Sequence, residues 1–98
     1  MLTSKQRRYL SSLAVNVDPT VMVGKEGASP AVESAISAEF AHRELFKLRF
    51  VSAREDRAEI ARGLADKTGA ELVRVIGNVA VFYRRAKNPE KRKIEFPA

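Results

Sequence analysis

The stretch Thr20-Val21-Met22-Val23-Gly24-Lys25-Glu26-Gly27-Ala28-Ser29-Pro30 decides the fold. Thr20 to Val23 is a short apolar run that stops at a glycine, the pattern of a buried strand. Ser29 is a good helix N-cap, and Pro30 stands at the first helical position, where its missing amide costs nothing. A helix is therefore predicted from Pro30 to about His42, with Val32, Ile36 and Phe40 at four-residue spacing as its core stripe. Strand, glycine-flanked loop and helix in immediate succession form a β-loop-α unit, and the rest of the chain has to be compatible with it.

Upstream, Thr3-Ser4-Lys5-Gln6 has the spacing of a capping box and starts a first helix. Leu2, Tyr9, Leu10 and Leu13 share one side of that helix, while Lys5, Arg8 and Ser12 point away, so its outer face is basic. Asp18-Pro19 supplies the turn into the strand. Downstream, Leu45 to Val51 alternates, with Phe46, Leu48 and Phe50 on one face and Lys47 and Arg49 on the other, as in a half-buried strand. Glu55 to Thr68 returns to a helical period through Ala58, Ile60, Ala61, Leu64 and Ala65, and Gly69 is a natural C-terminal stop. Leu72 to Ile76 and Val79 to Tyr83 flank Gly77-Asn78, whose leading glycine suits a type II′ hairpin turn. The predicted order is α-β-α-β-α-β-β, an α/β (α+β) sandwich of helices on a mixed four-stranded sheet.

A chain of 98 residues fits one domain, assigned here to residues 1–88. Residues 89–98 form a basic tail in which Lys93 to Phe96 alternates as an edge strand or a docked extended segment would. The chain has no cysteine, which excludes disulfides, thiolate metal sites and cysteine nucleophiles and fits the cytoplasm. No signal peptide or membrane segment is recognisable, since no apolar run approaches the roughly 20 residues a span requires. His42 is the single histidine and reads as a capping or surface residue near a helix end. Arg54, Glu55, Asp56, Arg57, Glu59 and Arg62 mix signs along one helix and read as a solvated ion-pair face. With the usual nucleophile and base pairs absent, no catalytic residue, metal or cofactor is expected, and the chain is not read as an enzyme.

The net charge of +6 is concentrated at the ends, with +3 in residues 1–12, −1 in residues 13–83 and +4 in residues 84–98. Positive charge gathered in this way is a footprint of nucleic-acid binding, because Lys and Arg displace counterions condensed on phosphates. The Gly24-Lys25-Glu26-Gly27 loop is the candidate phosphate contact. A Gly-x-x-Gly loop before a helix N-terminus lets a backbone approach closely and offers amides at the positive end of the helix dipole, as in KH-type modules. Glu26 cancels Lys25 in formal charge, so further attraction is assigned to Lys5 and Arg8, to Lys47 and Arg49, and to Arg84, Arg85 and Lys87.

Several motifs taken in order resemble the CRM domain (chloroplast RNA splicing and ribosome maturation) in its stand-alone bacterial YhbY-like form. They are Leu2-Thr3 with Lys5-Gln6-Arg7, Val23-Gly24-Lys25-Glu26-Gly27, Glu44-Leu45-Phe46-Lys47-Leu48-Arg49, Val75-Ile76-Gly77 followed by Phe82-Tyr83-Arg84, and the ending Ile94-Glu95-Phe96-Pro97. The resemblance implies a fold similar to the C-terminal domain of bacterial translation initiation factor three. It also implies binding to ribosomal RNA of a large-subunit precursor, with Gly24 to Gly27 as the RNA-contacting loop. The expected protein is a cytoplasmic monomer that contacts RNA and possible ribosomal-protein neighbours, but no membrane. The competing expectation is a protein-interaction adaptor on pre-ribosomal particles, docking through the Lys93 to Phe96 edge and touching RNA incidentally.

Overall fold

A computed structural model describes residues 2–52 and 55–97. Met1, Ala53, Arg54 and Ala98 lie outside the described residues, and with Arg54 goes one member of the expected ion-pair face. Three helices, α1 (Ser4–Ala14), α2 (Pro30–Phe40) and α3 (Arg57–Thr68), alternate with four strands, β1 (Pro19–Val23), β2 (Leu45–Phe50), β3 (Glu71–Ile76) and β4 (Val79–Tyr83). The predicted element order therefore stands, and a short 3₁₀ turn at Pro89–Lys91 follows β4. The sheet runs β1-β2-β4-β3, with β1 parallel to β2 and the remaining pairs antiparallel.

Local chemistry explains the boundaries. The Thr3 hydroxyl accepts from the Gln6 N–H at 3.1 Å while the Gln6 side chain accepts from the Thr3 N–H at 2.9 Å, a complete capping box. Ser29 caps α2 by accepting from the Val32 N–H at 3.2 Å. The helix stops at Phe40, short of the expected His42, because its last turn tightens into three-residue hydrogen bonds from Ala41 to Ala38 and from His42 to Glu39. Helix α3 likewise starts at Arg57 rather than Glu55. Gly77 adopts φ 55° while Asn78 stays out of the left-handed region, in keeping with a turn led by glycine.

The sheet is covered on both faces, but unequally. On one, Val21, Val23, Phe46, Leu48, Phe50, Ala80 and Phe82 pack under Ile36 and Phe40 of α2 and Ala61, Leu64 and Ala65 of α3. Phe46 stacks on Phe82 with centroids 5.4 Å apart and meets Phe40 edge-on at 5.0 Å. On the other, Leu45, Val73, Val81 and Tyr83 pack under Leu10 and Ala14 of α1, joined by Leu2, Ile94 and Phe96. Leu13, expected on the buried side of α1, sits at its rim, and Ala14 takes the inner place.

Because α1 is only 11 residues long, it covers only the Leu45–Tyr83 end of its face. The remaining half is open.

Candidate nucleic-acid interface

Gly24–Gly27 is a tight turn at the C-terminal end of β1. The Gly27 N–H donates to the Gly24 carbonyl at 3.1 Å, Lys25 and Glu26 hold the central positions, and Gly27 adopts φ 71°. Gly27 is buried, whereas Gly24, Lys25 and Glu26 are exposed. The turn itself demands glycine at 27. At position 24 the fold makes no such demand, since φ is outside the left-handed region and an added β-carbon would meet nothing within 4 Å.

Fewer amides face outward here than the sequence suggests. Gly27 uses its N–H inside the turn, Pro30 has none, and Ser29 takes the N–H groups of Val32 and Glu33. Glu33 places a carboxylate in the first turn of α2, 3.6 Å from the Lys67 ammonium. Attraction for an anion at this end of the molecule therefore depends more on side chains than on the helix terminus.

The structure divides the basic residues into two groups. Arg7 donates to the carbonyls of Leu72 and Val73, and Arg57 to the Asn78 side chain. Arg84 donates to the Thr68 carbonyl at the end of α3 at 2.9 Å while its guanidinium lies 4.5 Å from the Phe40 ring centroid. Arg84, placed among the RNA contacts from sequence, is thus half-buried and held in the fold. Among the described residues, by contrast, no hydrogen bond or ion pair engages the side chains of Arg8, Lys47, Arg49 and Arg74, all on the α1 side of the sheet. Arg8 and Arg74 line one groove between α1 and β3, together with Ser12 and Val15. Lys5 is exposed in the first turn of α1.

Arg85, Lys87, Lys91 and Lys93 form a second exposed group, beyond β4. Pairing of Arg49 with Val79 and of Leu45 with Tyr83 sets this group and the Gly24–Gly27 turn at opposite ends of the sheet, at least about 13 Å apart along the strands. The turn adjoins the open half-face, and the tail group does not converge with them.

Glu44 ties the tail to the start of β2. Glu44 is only 4% exposed, and its carboxylate accepts from the N–H groups of Ala86 (2.8 Å), Lys93 (2.8 Å) and Ile94 (3.1 Å). Burial alone pushes this carboxyl up, but the three amides and the Arg92 guanidinium outweigh it and hold it below the ordinary 4.5. Tyr83 moves the other way, raised first by burial and then by the Glu44 charge, with Arg85 and Arg92 opposing. Phe96 packs edge-on against Tyr9 and Tyr83. Lys93 to Phe96 does not join the sheet, and the Lys93 and Ile94 amides go to Glu44 rather than to a strand.

Sequence reasoning missed Arg74, whose place on the open side follows a register shift between Leu72 and Arg74. It also missed the inward use of Arg7 and the grip of Glu44. The only hint of the last was a lone carboxylate directly before strand β2.

Fold and surface together define a class: a small α/β domain with helices on both faces of a mixed sheet and an open, cation-lined half-face suited to a polyanion. The CRS1 / YhbY (CRM) domain model matches residues 2–84, and the chain belongs to that family. It is 36% identical over 98 residues to the Probable RNA-binding protein YqeI of Bacillus subtilis, spanning 99% of this chain and all of the relative. An RNA-binding protein of Haemophilus influenzae is 34% identical over 97 residues, covering 98% of this chain and 95% of that one. The solution structure of a hypothetical Staphylococcus aureus protein, described as a proposed RNA-binding protein, superposes with a TM-score of 0.82 at 38% identity, covering 97% of this chain and all of that one.

Proposed function

We propose that this protein binds structured RNA, with ribosomal RNA of a large-subunit precursor as its target. The contacts come from the Gly24–Gly27 turn and from the cations of the open half-face. The observation that carries this reading is the sorting of the basic residues: Arg7, Arg57 and Arg84 are held by carbonyls, an amide and a ring, while Arg8, Lys47, Arg49 and Arg74 gather on one side without a partner among the described residues. Unpaired cations sharing one surface lose little when phosphates replace their counterions and water. The names of the relatives favour RNA over other polyanions.

In this reading the side chains supply attraction, and the turn supplies fit. Gly24 has no Cβ to hold a sugar-phosphate backbone away, and Lys25 stands exposed beside it. The protein acts by binding, as a cytoplasmic monomer, with no catalytic step. The adaptor alternative loses its motivating feature, because Lys93 to Phe96 presents no free strand edge.

The test is a salt titration of affinity for large-subunit ribosomal RNA fragments. Affinity should fall steeply with salt, and Ala at Lys47, Arg49 and Arg74 together should flatten the logarithmic slope by about two to three. Affinity independent of salt, or unchanged in a folded Lys25→Glu, Gly27→Asp variant, would refute the reading. Crosslinking in cells that recovers no RNA above background would do the same.

A further inference from the structure

We infer that the open half of the sheet is a docking site for unpaired nucleobases, so that the RNA bound presents a bulge, loop or strand end beside its phosphates. The inference rests on the RNA-binding reading above and adds the kind of RNA.

Strand register sets Met22, Arg49, Val79 and Ile76 side by side in one row across all four strands. Val51 extends the β2 side of that row, its N–H donating to the Val23 carbonyl at 3.0 Å. Met22 is 49% exposed, Ile76 53% and Val51 58%, and these are three of the five large hydrophobic side chains exposed among the described residues. Folding leaves them uncovered for the reason given above: α1 ends too soon, and the tail turns toward Tyr9 and Tyr83 at the opposite end.

The surroundings of the row select its occupant. Lys47, Arg49 and Arg74 lie in or next to it, and the only acid on these strand positions is Glu71, opposite Tyr83 at the far end. A partner must therefore bring both negative charge and apolar surface. Paired RNA brings the charge but keeps its base faces stacked within the helix. An unpaired nucleotide brings both, with a flat face for the aliphatic side chains and a phosphate within reach of the cations. The phenylalanines and tyrosines are taken up in the two cores and the tail contact, so no aromatic ring is offered for stacking. Arg49, between Met22 and Val79, is the one planar group in the row, and its guanidinium would lie on a base.

The experiment compares a blunt RNA duplex with the same duplex carrying a bulge of unpaired nucleotides. Wild type should prefer the bulged RNA by about tenfold, the factor that burying about 60 Å² of aliphatic surface under a base supplies. Met22→Ser with Ile76→Ser should abolish that preference while leaving blunt-duplex affinity, salt slope and melting temperature unchanged. Arg49→Lys, which keeps the charge and removes the plane, should lose part of the preference at an unchanged slope. The inference is overturned if wild type binds both RNAs equally, or if the double variant keeps its preference or weakens equally on both. It is also overturned if that variant binds RNA in full but loses a purified large-subunit protein. Binding of neither RNA at low salt would instead sink the RNA reading itself.

Discussion

Replacing Glu44 by alanine removes an acceptor shared by the N–H groups of Ala86, Lys93 and Ile94. A hydrogen bond to a charged group contributes about 1.5–3 kcal/mol net. Three such terms do not simply add, because a released tail rehydrates its own amides. The better bound is the free energy of docking the tail, in which half-buried Ile94 and Phe96 pack against the cluster of Leu10, Leu45 and Tyr83 and Phe96 also meets Tyr9. Each of those side chains contributes on the order of 1–1.5 kcal/mol, and ordering the segment opposes them. A loss of about 3 kcal/mol is expected for Glu44→Ala and about half that for Glu44→Gln, which keeps one acceptor oxygen. For a chain of this size each kcal/mol lowers Tm by about 4–8 °C, so the alanine variant should melt about 12–24 °C early.

Acidity provides an independent check on the same contact. The Glu44 carboxyl sits below the ordinary 4.5 when folded, so on acidification the unfolded chain takes up the proton first. The contribution is complete above the unfolded value and is lost as pH falls through the folded one, so the gap between wild type and Glu44→Gln should be flat near neutrality and narrow progressively as pH falls below 4.5. Urea denaturation and amide exchange at Lys93 and Ile94 measure both effects. An alanine variant within about 1 kcal/mol of wild type, its two amides still protected, would refute the reasoning.

The two loop glycines should separate cleanly. Gly27→Ala strains a φ of 71° and should cost about 1 kcal/mol in a denaturation curve, whereas Gly24→Ala should leave stability unchanged and weaken RNA binding. Arg84→Met removes the Thr68 carbonyl bond and the cation over Phe40, so stability should fall by about 1–2 kcal/mol with the salt slope of RNA binding unaltered. A slope reduced by about one would instead make Arg84 a phosphate contact. The Tyr83 hydroxyl ionises above its usual 10.0 in the fold, so its contribution is whole below that value and is lost as pH rises through the raised one. Tyr83→Phe should therefore melt less steeply with pH on the alkaline side, and equal alkaline slopes would count against the burial argument.

The elements were legible in the sequence because their signals are local. A capping box at Thr3, Ser29-Pro30 at the start of α2 and Gly77 in the hairpin act within a few residues, and each fixes a boundary wherever the rest of the chain goes. What was not legible depends on distant contacts. The Glu44 grip joins residues 42 to 50 positions apart, and no pattern in the sequence announces such a pair. The register shift near Val73 breaks simple alternation and hides Arg74 on the side it occupies. Arg84 and Arg85 are neighbours with identical chemistry, yet one reaches the end of α3 and the other faces water. The candidate site was therefore half readable: the Gly24–Gly27 turn and the Lys47–Arg49 face from spacing, the open row only from how far α1 extends.

Glu44 also bears on how a strongly basic segment is ordered without being neutralised. Residues 84–98 carry a net +4, and a carboxylate that paired with their ammonium groups would use up the charge available to a partner. Glu44 binds main-chain amides instead, and Arg92 donates to the carbonyls of Ala86 and Lys87, so the tail is held through its backbone. Lys87, Lys91 and Lys93 stay exposed. Glu44→Gln should consequently leave the number of cations intact while loosening their arrangement. If the tail group takes part in RNA binding, affinity falls in that variant with little change in salt slope, since the slope counts phosphates neutralised rather than the order of the segment supplying the charge. Lys87→Ala with Lys91→Ala should do the reverse, flattening the slope by about two while leaving Tm where it was. A Glu44→Gln variant that lost slope as steeply as the double alanine would mean that the docked position of the tail, and not its charge alone, determines which phosphates it meets.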